Sequence, residues 1–236
     1  IKRFVEELEL LNKKQLIPYL LNAVEILDLA NENNIPHVTR GSCGSSYICY
    51  LLGISHVDPI KYNISFARFL NDFRDKLPDI DFDFPYNLRD DIFMKIELKW
   101  VGKVARISNH IYYHEKSALR EALRSIGIRK MIPKYEIEDF VNKLPTADKR
   151  QVKKVQKGLI DTFKCYSLHC GGIIFYPSGI PEDVILEEKK NNLLTQVKLD
   201  KRDVSKNANF KIDILSSRGL SQLYEIYQET LDTKLI

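Results

Sequence analysis

The sequence lacks the features of a membrane-embedded or disulfide-stabilised protein. No apolar run approaches the roughly 18 residues that a membrane span requires, and the N-terminal segment has no apolar core of the kind found in signal peptides. Four cysteines in 236 residues are too few for a disulfide framework, and none forms a CxxC pair. We therefore expect a cytoplasmic protein with reduced thiols and no membrane partner.

A zinc centre is also disfavoured by what is missing. His169 lies between Cys165 and Cys170, but no fourth ligand follows at a spacing typical of zinc sites. Any metal centre in this chain is therefore expected to use other ligand types.

Composition indicates a globular chain with a modest positive charge. Hydrophobic residues make up 44% and charged residues 29%, and the formal net charge is +4. A chain of 236 residues is long enough to bury a substantial core as one domain or two. The first residue is not methionine, so we expect a fragment or a processed chain whose neighbouring segments are absent.

Acidic and apolar residues alternate in the run Pro-Asp-Ile-Asp-Phe-Asp-Phe at 78–84. A strand sends alternate side chains to opposite faces, so Asp79 and Asp81 share one face about 6.6 Å apart, with Asp83 next in line. Hard divalent cations prefer oxygen ligands, so the pattern predicts a seat for two such ions. The alternative is a half-exposed strand whose acids face water.

A further acid, Asp213, lies between two isoleucines near the end of the chain. Burying a carboxylate among apolar neighbours is costly unless it is paired or binds a metal. Strand patterns at both ends flank a middle, from residue 88 to about 163, that is typical of helices. We therefore predict an α+β fold whose sheet draws on both ends and brings Asp213 beside Asp79 and Asp81.

Basic residues concentrate in the middle of the chain. Two predicted helices, the first at 115–126, each carry basic residues four positions apart on one face: Lys116, Arg120 and Arg124 on the first, and Lys149, Lys153 and Lys157 on the second. Such faces favour a nucleic-acid backbone as partner, because lysine and arginine neutralise phosphates. The alternative is two solvated helix faces.

Several further motifs follow one another along the chain. Arg40-Gly41-Ser42 is followed by Leu-Leu-Gly-Ile at 51–54, Val-Asp-Pro at 57–59 and Phe-Ala-Arg-Phe-Leu-Asn at 66–71. After the acidic run come His-Cys-Gly-Gly-Ile-Ile at 169–174, Thr-Gln at 195–196, Asp-Lys at 200–201 and Lys-Ile-Asp-Ile-Leu at 211–215. This order resembles the catalytic core of the bacterial C-family DNA polymerases, the DNA polymerase III alpha subunits, over nearly the whole chain.

The resemblance implies a fold. It is a polymerase-beta-like nucleotidyltransferase palm with a mixed sheet, interrupted by an inserted helical thumb. The expected boundaries are 1–90 for the first part of the palm, 91–165 for the thumb-like insertion and 166–236 for the second part of the palm. The family's fingers, its other polymerase domains and replisome subunits are expected as partners outside this sequence.

The resemblance also implies a site. Its metal-binding catalytic residues are Asp79, Asp81 and Asp213, and Asp83 is expected to be supporting or structural. The residues expected to bind the nucleotide are Arg40, Gly41, Ser42 and Lys211. The residues expected to contact primer-template DNA are Lys116, Arg120, Arg124, Lys149 and Lys153. His169 is expected to be either structural or substrate-lining.

The implied reaction is DNA-directed DNA polymerisation, in which a primer 3′ hydroxyl attacks the α-phosphate of a dNTP and pyrophosphate leaves. Two Mg²⁺ ions about 3.5 to 4 Å apart, or Mn²⁺ in their place, would activate the hydroxyl and stabilise the leaving group. The helix beginning near Ser45 is expected to aim its N-terminus at the triphosphate. Two alternatives stay open: a template-independent nucleotidyltransferase acting on RNA or protein, and a non-catalytic DNA-binding module.

Overall fold

The computed structural model describes residues 1–71, 77–187, 194–206 and 210–233. Within these ranges the helices are α1 (Lys2–Lys13), α2 (Ile17–Glu32), α3 (Tyr47–Leu51), α4 (Arg89–Lys99), α5 (Glu115–Ser125), α6 (Ile137–Asn142), α7 (Thr146–Leu159), α8 (Lys201–Lys206) and α9 (Arg218–Thr233). The strands are β1 (Val38–Arg40), β2 (Ile80–Pro85), β3 (Val104–Tyr112), β4 (Phe163–Phe175), β5 (Ile185–Glu187), β6 (Gln196–Val197) and β7 (Lys211–Ser217). None of these described helices combines the length and apolar character that a membrane crossing requires.

The strands form a seven-stranded mixed sheet in the order β1-β2-β7-β4-β3-β6-β5. β2 and β7 pair in parallel, whereas β1 is antiparallel to β2 and β4 is antiparallel to β7. The sheet uses strands from both halves of the sequence. The predicted mixed sheet is therefore confirmed.

The chain divides into two compact units. The first contains residues 1–108 and 168–236, and the second contains residues 109–167. The first unit has its main hydrophobic core around strands β2 and β7, and the second has a smaller core of its own, formed by Leu119, Ala122, Leu123, Ile132, Ile137, Val141 and Val152. Residues 91–108, which the sequence assigns to the thumb-like insertion, lie in the first unit.

Strand β2 explains the alternation of the acidic run. Ile80, Phe82 and Phe84 are fully buried on one face, and each buried side chain of this size stabilises the fold by about 1.5 to 3 kcal/mol. Asp81 and Asp83 point to the opposite face and are half-buried. The pairing register of β2 is therefore fixed, because a shift of one residue would turn Ile80, Phe82 and Phe84 out of the core.

Strand β3 lies within the middle of the chain, where the sequence predicts mostly helices and where α4 to α7 are found. It contains nine residues, and the first five, from Val104 to Ser108, are all buried. A strand covered on both faces shows no alternation of polar and apolar residues, so its period is not visible in the sequence. The helix predicted at 115–126 is confirmed as α5, whose N-terminus carries a capping box formed by His114 and Ser117.

Candidate active site

Two of the predicted acids are direct neighbours on β2 and β7, two adjacent interior strands of the sheet. The parallel register of β2 and β7 places Asp81 opposite Asp213, so the two side chains emerge from the same face. Asp213 is only 8% exposed. Asp79 immediately precedes β2 on the same alternating face, and its side chain is more exposed than that of Asp213. The fold thus brings the three predicted metal ligands into one region of the first unit.

The Arg-Gly-Ser turn packs directly against these acids. β1 is antiparallel to β2 and places Arg40 opposite Asp81. Gly41 follows with φ 85° and ψ −151°, a conformation essentially restricted to glycine. A Cβ atom at Gly41 would lie 2.9 Å from Oδ2 of Asp81. Ser42 then begins a 3-10 turn that ends at Ser45, so the backbone of the turn adjoins the carboxylates.

Lys211 provides a cation beside two of the acids. Its ammonium group forms an ion pair with Oδ2 of Asp213 and lies 3.9 Å from Oδ1 of Asp79. Lys211 is 7% exposed, and a buried charge of this kind requires a partner of opposite sign. Lys211 and Asp213 are separated by one position in β7, which places their side chains on the same face of the sheet.

Asp83 interacts with the arginine of the turn. Nε of Arg40 lies 3.2 Å from Oδ2 of Asp83, with the arginine side chain largely exposed and the carboxylate mostly covered. This ion pair gives Asp83 a supporting contact, because it holds Arg40 along the side of β2 that carries Asp81.

His169 folds back onto its own strand. Its Nδ1 accepts hydrogen bonds from the backbone N–H groups of Gly172 at 2.8 Å and Gly171 at 3.3 Å. This contact assigns the ring proton to Nε2, and burial lowers the pKa of the ring. Nδ1 lies 3.8 Å from Oδ1 of Asp213, too far for a hydrogen bond.

The electrostatics of the acid pair fit a divalent cation. Burial is the largest cause that raises the pKa of Asp81 to about 6, the adjacent charge of Asp213 adds to it, and Lys211 opposes it. Oδ1 of Asp213 is buried and has no hydrogen-bond partner within the described ranges. A buried carboxylate oxygen without a donor, beside a second carboxylate, suits Mg²⁺ or Mn²⁺. Asp79, Asp81 and Asp213 are the residues that would hold such ions.

The raised pKa of Asp81 predicts a pH-dependent metal affinity. Below the pKa of about 6 a proton competes with the cation for the carboxylate. Metal affinity therefore falls as pH falls, and metal binding displaces a proton from the carboxylate. We expect Mn²⁺ titrated calorimetrically at pH 5 to bind on the order of tenfold more weakly than at pH 7.5. An Asp81→Asn variant should lose this dependence near pH 6. Equal affinity of the unaltered chain at both pH values would contradict the prediction.

Comparison with known proteins identifies the family. A family model described as the bacterial DNA polymerase III alpha NTPase domain matches residues 1–216. The chain belongs to the bacterial DNA polymerase III alpha family. It is 30% identical to the DNA polymerase III subunit alpha of Buchnera aphidicola, over 100% of this chain and 22% of the relative. It is 29% identical to the error-prone DNA polymerase of Bdellovibrio bacteriovorus, over 99% of this chain and 24% of the relative. The chain therefore spans less than a quarter of the length of these relatives.

One expectation about this DNA polymerase III alpha family chain is wrong. The helix near Ser45 was expected to aim free N–H groups at the triphosphate, but α3 begins at Tyr47 and the carboxylate of Glu7 occupies its N-terminus. Glu7 accepts hydrogen bonds from the N–H groups of Tyr47 at 3.0 Å and Ile48 at 3.1 Å. The physical reason is that a buried internal carboxylate already satisfies these donors.

The predicted DNA-contacting residues lie in the second unit. A cavity of about 660 Å³ is lined by three of them, together with two further lysines that sequence reasoning missed: Lys116, Arg120, Arg124, Lys134 and Lys164. Arg124 also forms a 3.0 Å ion pair with Glu121, another residue of the cavity wall. Lys153 lines a different cavity of about 280 Å³ in the same unit, and Lys149 is half-buried on α7. No spacing signal connects Lys134 or Lys164 to α5, because they come from other segments of the chain.

Proposed function

We propose that this chain carries the nucleotidyl-transfer centre of a DNA-directed DNA polymerase. The observation that supports this most strongly is the register that sets Asp81 beside Asp213, with the Arg40–Ser42 turn packed against Asp81. Lys211 adds a buried cation on the same face. Paired carboxylates next to a glycine turn and basic side chains suit phosphoryl transfer, in which catalysis is mainly positioning and charge stabilisation.

Each element of the site has a role in this proposal. The backbone of Gly41 and the hydroxyl of Ser42 bind the triphosphate of the dNTP, and Arg40 and Lys211 neutralise its charge. Asp79, Asp81 and Asp213 would hold two Mg²⁺ ions, or Mn²⁺ in their place. The bound ions would supply activation of the primer 3′ hydroxyl and stabilisation of the leaving pyrophosphate. Asp83 keeps Arg40 in place through their ion pair.

We further propose that the first unit is a palm with a polymerase-beta-like nucleotidyltransferase fold and that residues 109–167 form the thumb-like insertion. The mixed sheet with its acids on adjacent interior strands supports the first assignment. The separate core and the basic cavity of the second unit support the assignment of residues 109–167 to the thumb-like insertion. Because the relatives are more than four times as long as this chain, fingers and other polymerase domains are proposed partners, alongside primer-template DNA and dNTP.

Extension assays test this proposal against its alternatives. Labelled primer is supplied alone, annealed to a template and replaced by an RNA acceptor, each with dNTPs and Mg²⁺. Template-dependent addition of the complementary nucleotide is expected. Addition to every acceptor without regard to template would favour a template-independent transferase. DNA binding without addition under Mg²⁺ or Mn²⁺ would favour a non-catalytic module.

Salt dependence tests the role of the basic cavity. If Arg120 contacts a phosphate of the primer-template duplex, Arg120→Ala should reduce the slope of log affinity against log salt by about 0.9. Binding is measured by fluorescence anisotropy with a primed duplex between low and physiological salt. The matched control is Lys143→Ala, since Lys143 is an exposed lysine of the same unit that does not belong to the set lining the cavity. Equal slopes for both variants and the unaltered chain would rule out this contact.

A further inference from the structure

The N-terminal helix contains a buried acid that the proposed reaction does not use. Glu7 lies in α1 and is 1% exposed, although isolated buried carboxylates are strongly disfavoured. Its carboxylate is satisfied by four donors: Nε of Arg3 at 2.8 Å, Oγ of Ser46 at 2.9 Å, and the N–H groups of Tyr47 at 3.0 Å and Ile48 at 3.1 Å. Three of these donors belong to the segment that follows the Arg-Gly-Ser turn.

The same network extends to the turn itself. Nη2 of Arg3 donates to the backbone carbonyl of Ser45 at 2.7 Å. Oγ of Ser46 donates to Glu7 and accepts from the N–H of Cys49 at 3.1 Å. Every residue from Ser45 to Cys49 except Tyr47 is buried. The C-terminal side of the turn is therefore fixed to α1 by a satisfied polar network in a low-dielectric environment.

The N-terminal side of the turn is fixed differently. β1 pairs with β2, the strand that carries Asp81, and Arg40 is its last residue. The turn at 41–46 thus connects two anchors: the acidic strand on one side and the Glu7 carboxylate on the other. The position of the turn relative to Asp81 depends on both anchors, because a short segment fixed at both ends has little conformational freedom.

We propose that Glu7, supported by Arg3, is a positioning residue that holds the triphosphate-binding turn in the conformation that accepts a dNTP. This inference rests on the proposed function, since it assigns the turn to the nucleotide. Glu7 acts through the backbone of residues 45–48 and does not touch the nucleotide.

The test uses the full chain with Glu7→Gln, which keeps the shape of the side chain but removes its charge and replaces one acceptor with a donor. The dissociation constant for dATP with Mg²⁺ is measured by isothermal titration calorimetry at a temperature where circular dichroism shows the variant to be folded. Affinity should fall on the order of tenfold. Leu11→Ala is the matched control: Leu11 is a fully buried residue one turn further along α1, so its loss lowers stability without altering the carboxylate.

Hydrogen exchange of the nucleotide-free protein provides an independent readout. Faster exchange at the amides of Tyr47 and Ile48 in Glu7→Gln than in Leu11→Ala is expected. Unchanged dATP affinity in Glu7→Gln, or equal loss in both variants, would overturn the positioning role. If the unaltered chain does not bind dATP, the proposed function fails. Hydrogen exchange alone then decides whether Glu7 orders the turn. Equal protection of the amides at 42–48 in Glu7→Gln and in the unaltered chain would overturn the positioning role.

Discussion

An Asp81→Asn variant is expected to lose template-dependent primer extension by about 10³-fold and to become more stable at the same time. The loss follows because one carboxylate ligand is removed from a site whose charge stabilisation amounts to several kcal/mol. The gain follows because burial disfavours the charged form of Asp81, and repulsion from the adjacent charge of Asp213 adds to this cost. Initial rates of extension at saturating Mg²⁺ measure the first effect.

The stability effect has a defined pH dependence. The pKa of Asp81 is raised from 3.8 to about 6 in the folded chain, so the folded state holds this proton more tightly than the unfolded state. The free energy of unfolding therefore declines as pH rises from about 4 to about 6. Because the carboxylate is half exposed and screened by solvent, we expect Asp81→Asn to be more stable by only about 1 kcal/mol at pH 8. Urea denaturation should show this difference vanishing below pH 4.

Asp83→Asn is the matched comparison, because Asp83 lies on the same strand and face as Asp81. Asp83 forms an ion pair with Arg40 and lies opposite Leu215 in the register, whereas Asp81 lies opposite Asp213. The loss of the Asp83 carboxylate should therefore reduce extension by only about tenfold. Equal losses in both variants would argue that the acids act as a general negative surface. Full extension by Asp81→Asn would contradict its assignment as a metal ligand.

Gly41→Ala should have the second-largest effect. The added Cβ would lie 2.9 Å from Oδ2 of Asp81, on a backbone with φ 85°. Relief of this contact requires the turn or the carboxylate to shift, and a displacement near 1 Å costs about 10²-fold in rate. The strained backbone should also lower the free energy of unfolding by about 1 to 3 kcal/mol. Extension rates and urea denaturation measure the two effects.

Gly53→Ala controls for backbone strain. Gly53 also has a positive φ, 72°, but a Cβ there would have no atom within 4 Å. This variant should lose about 1 to 2 kcal/mol of stability and retain its extension rate. If both alanine variants lost activity in proportion to stability, the close approach of Gly41 to Asp81 would have no functional role.

The acid pair illustrates what sequence can predict. Alternation in 78–84 indicated which face the acids occupy, because the period of a strand is a local property. Asp213 was placed beside them by combining its apolar neighbours with the strand patterns at both ends of the chain. The parallel register that sets it opposite Asp81 could not be derived from either segment alone, since pairing depends on the whole sheet.

Glu7 illustrates what sequence could not predict. It lies four residues from both Arg3 and Leu11 in the buried stripe of α1, but charged residues are almost never fully buried unless paired. Arg3 is a local partner, whereas the other three donors come from 39 to 41 residues later, at Ser46, Tyr47 and Ile48. Strand β3 was missed for a related reason: its first half is buried on both faces, so tertiary packing determines its conformation more than local pattern.

Anomalous diffraction from crystals grown with Mn²⁺ and a non-hydrolysable dNTP would test the metal site most directly. We expect Mn²⁺ peaks at coordination distance from carboxylate oxygens of Asp81 and Asp213, with the triphosphate against the turn at 40–42. Lys211, which pairs with Asp213 in the structure, should contact phosphate oxygens in the complex. Nucleotide bound elsewhere, or no manganese at these two carboxylates, would contradict the assignment of this site to nucleotidyl transfer.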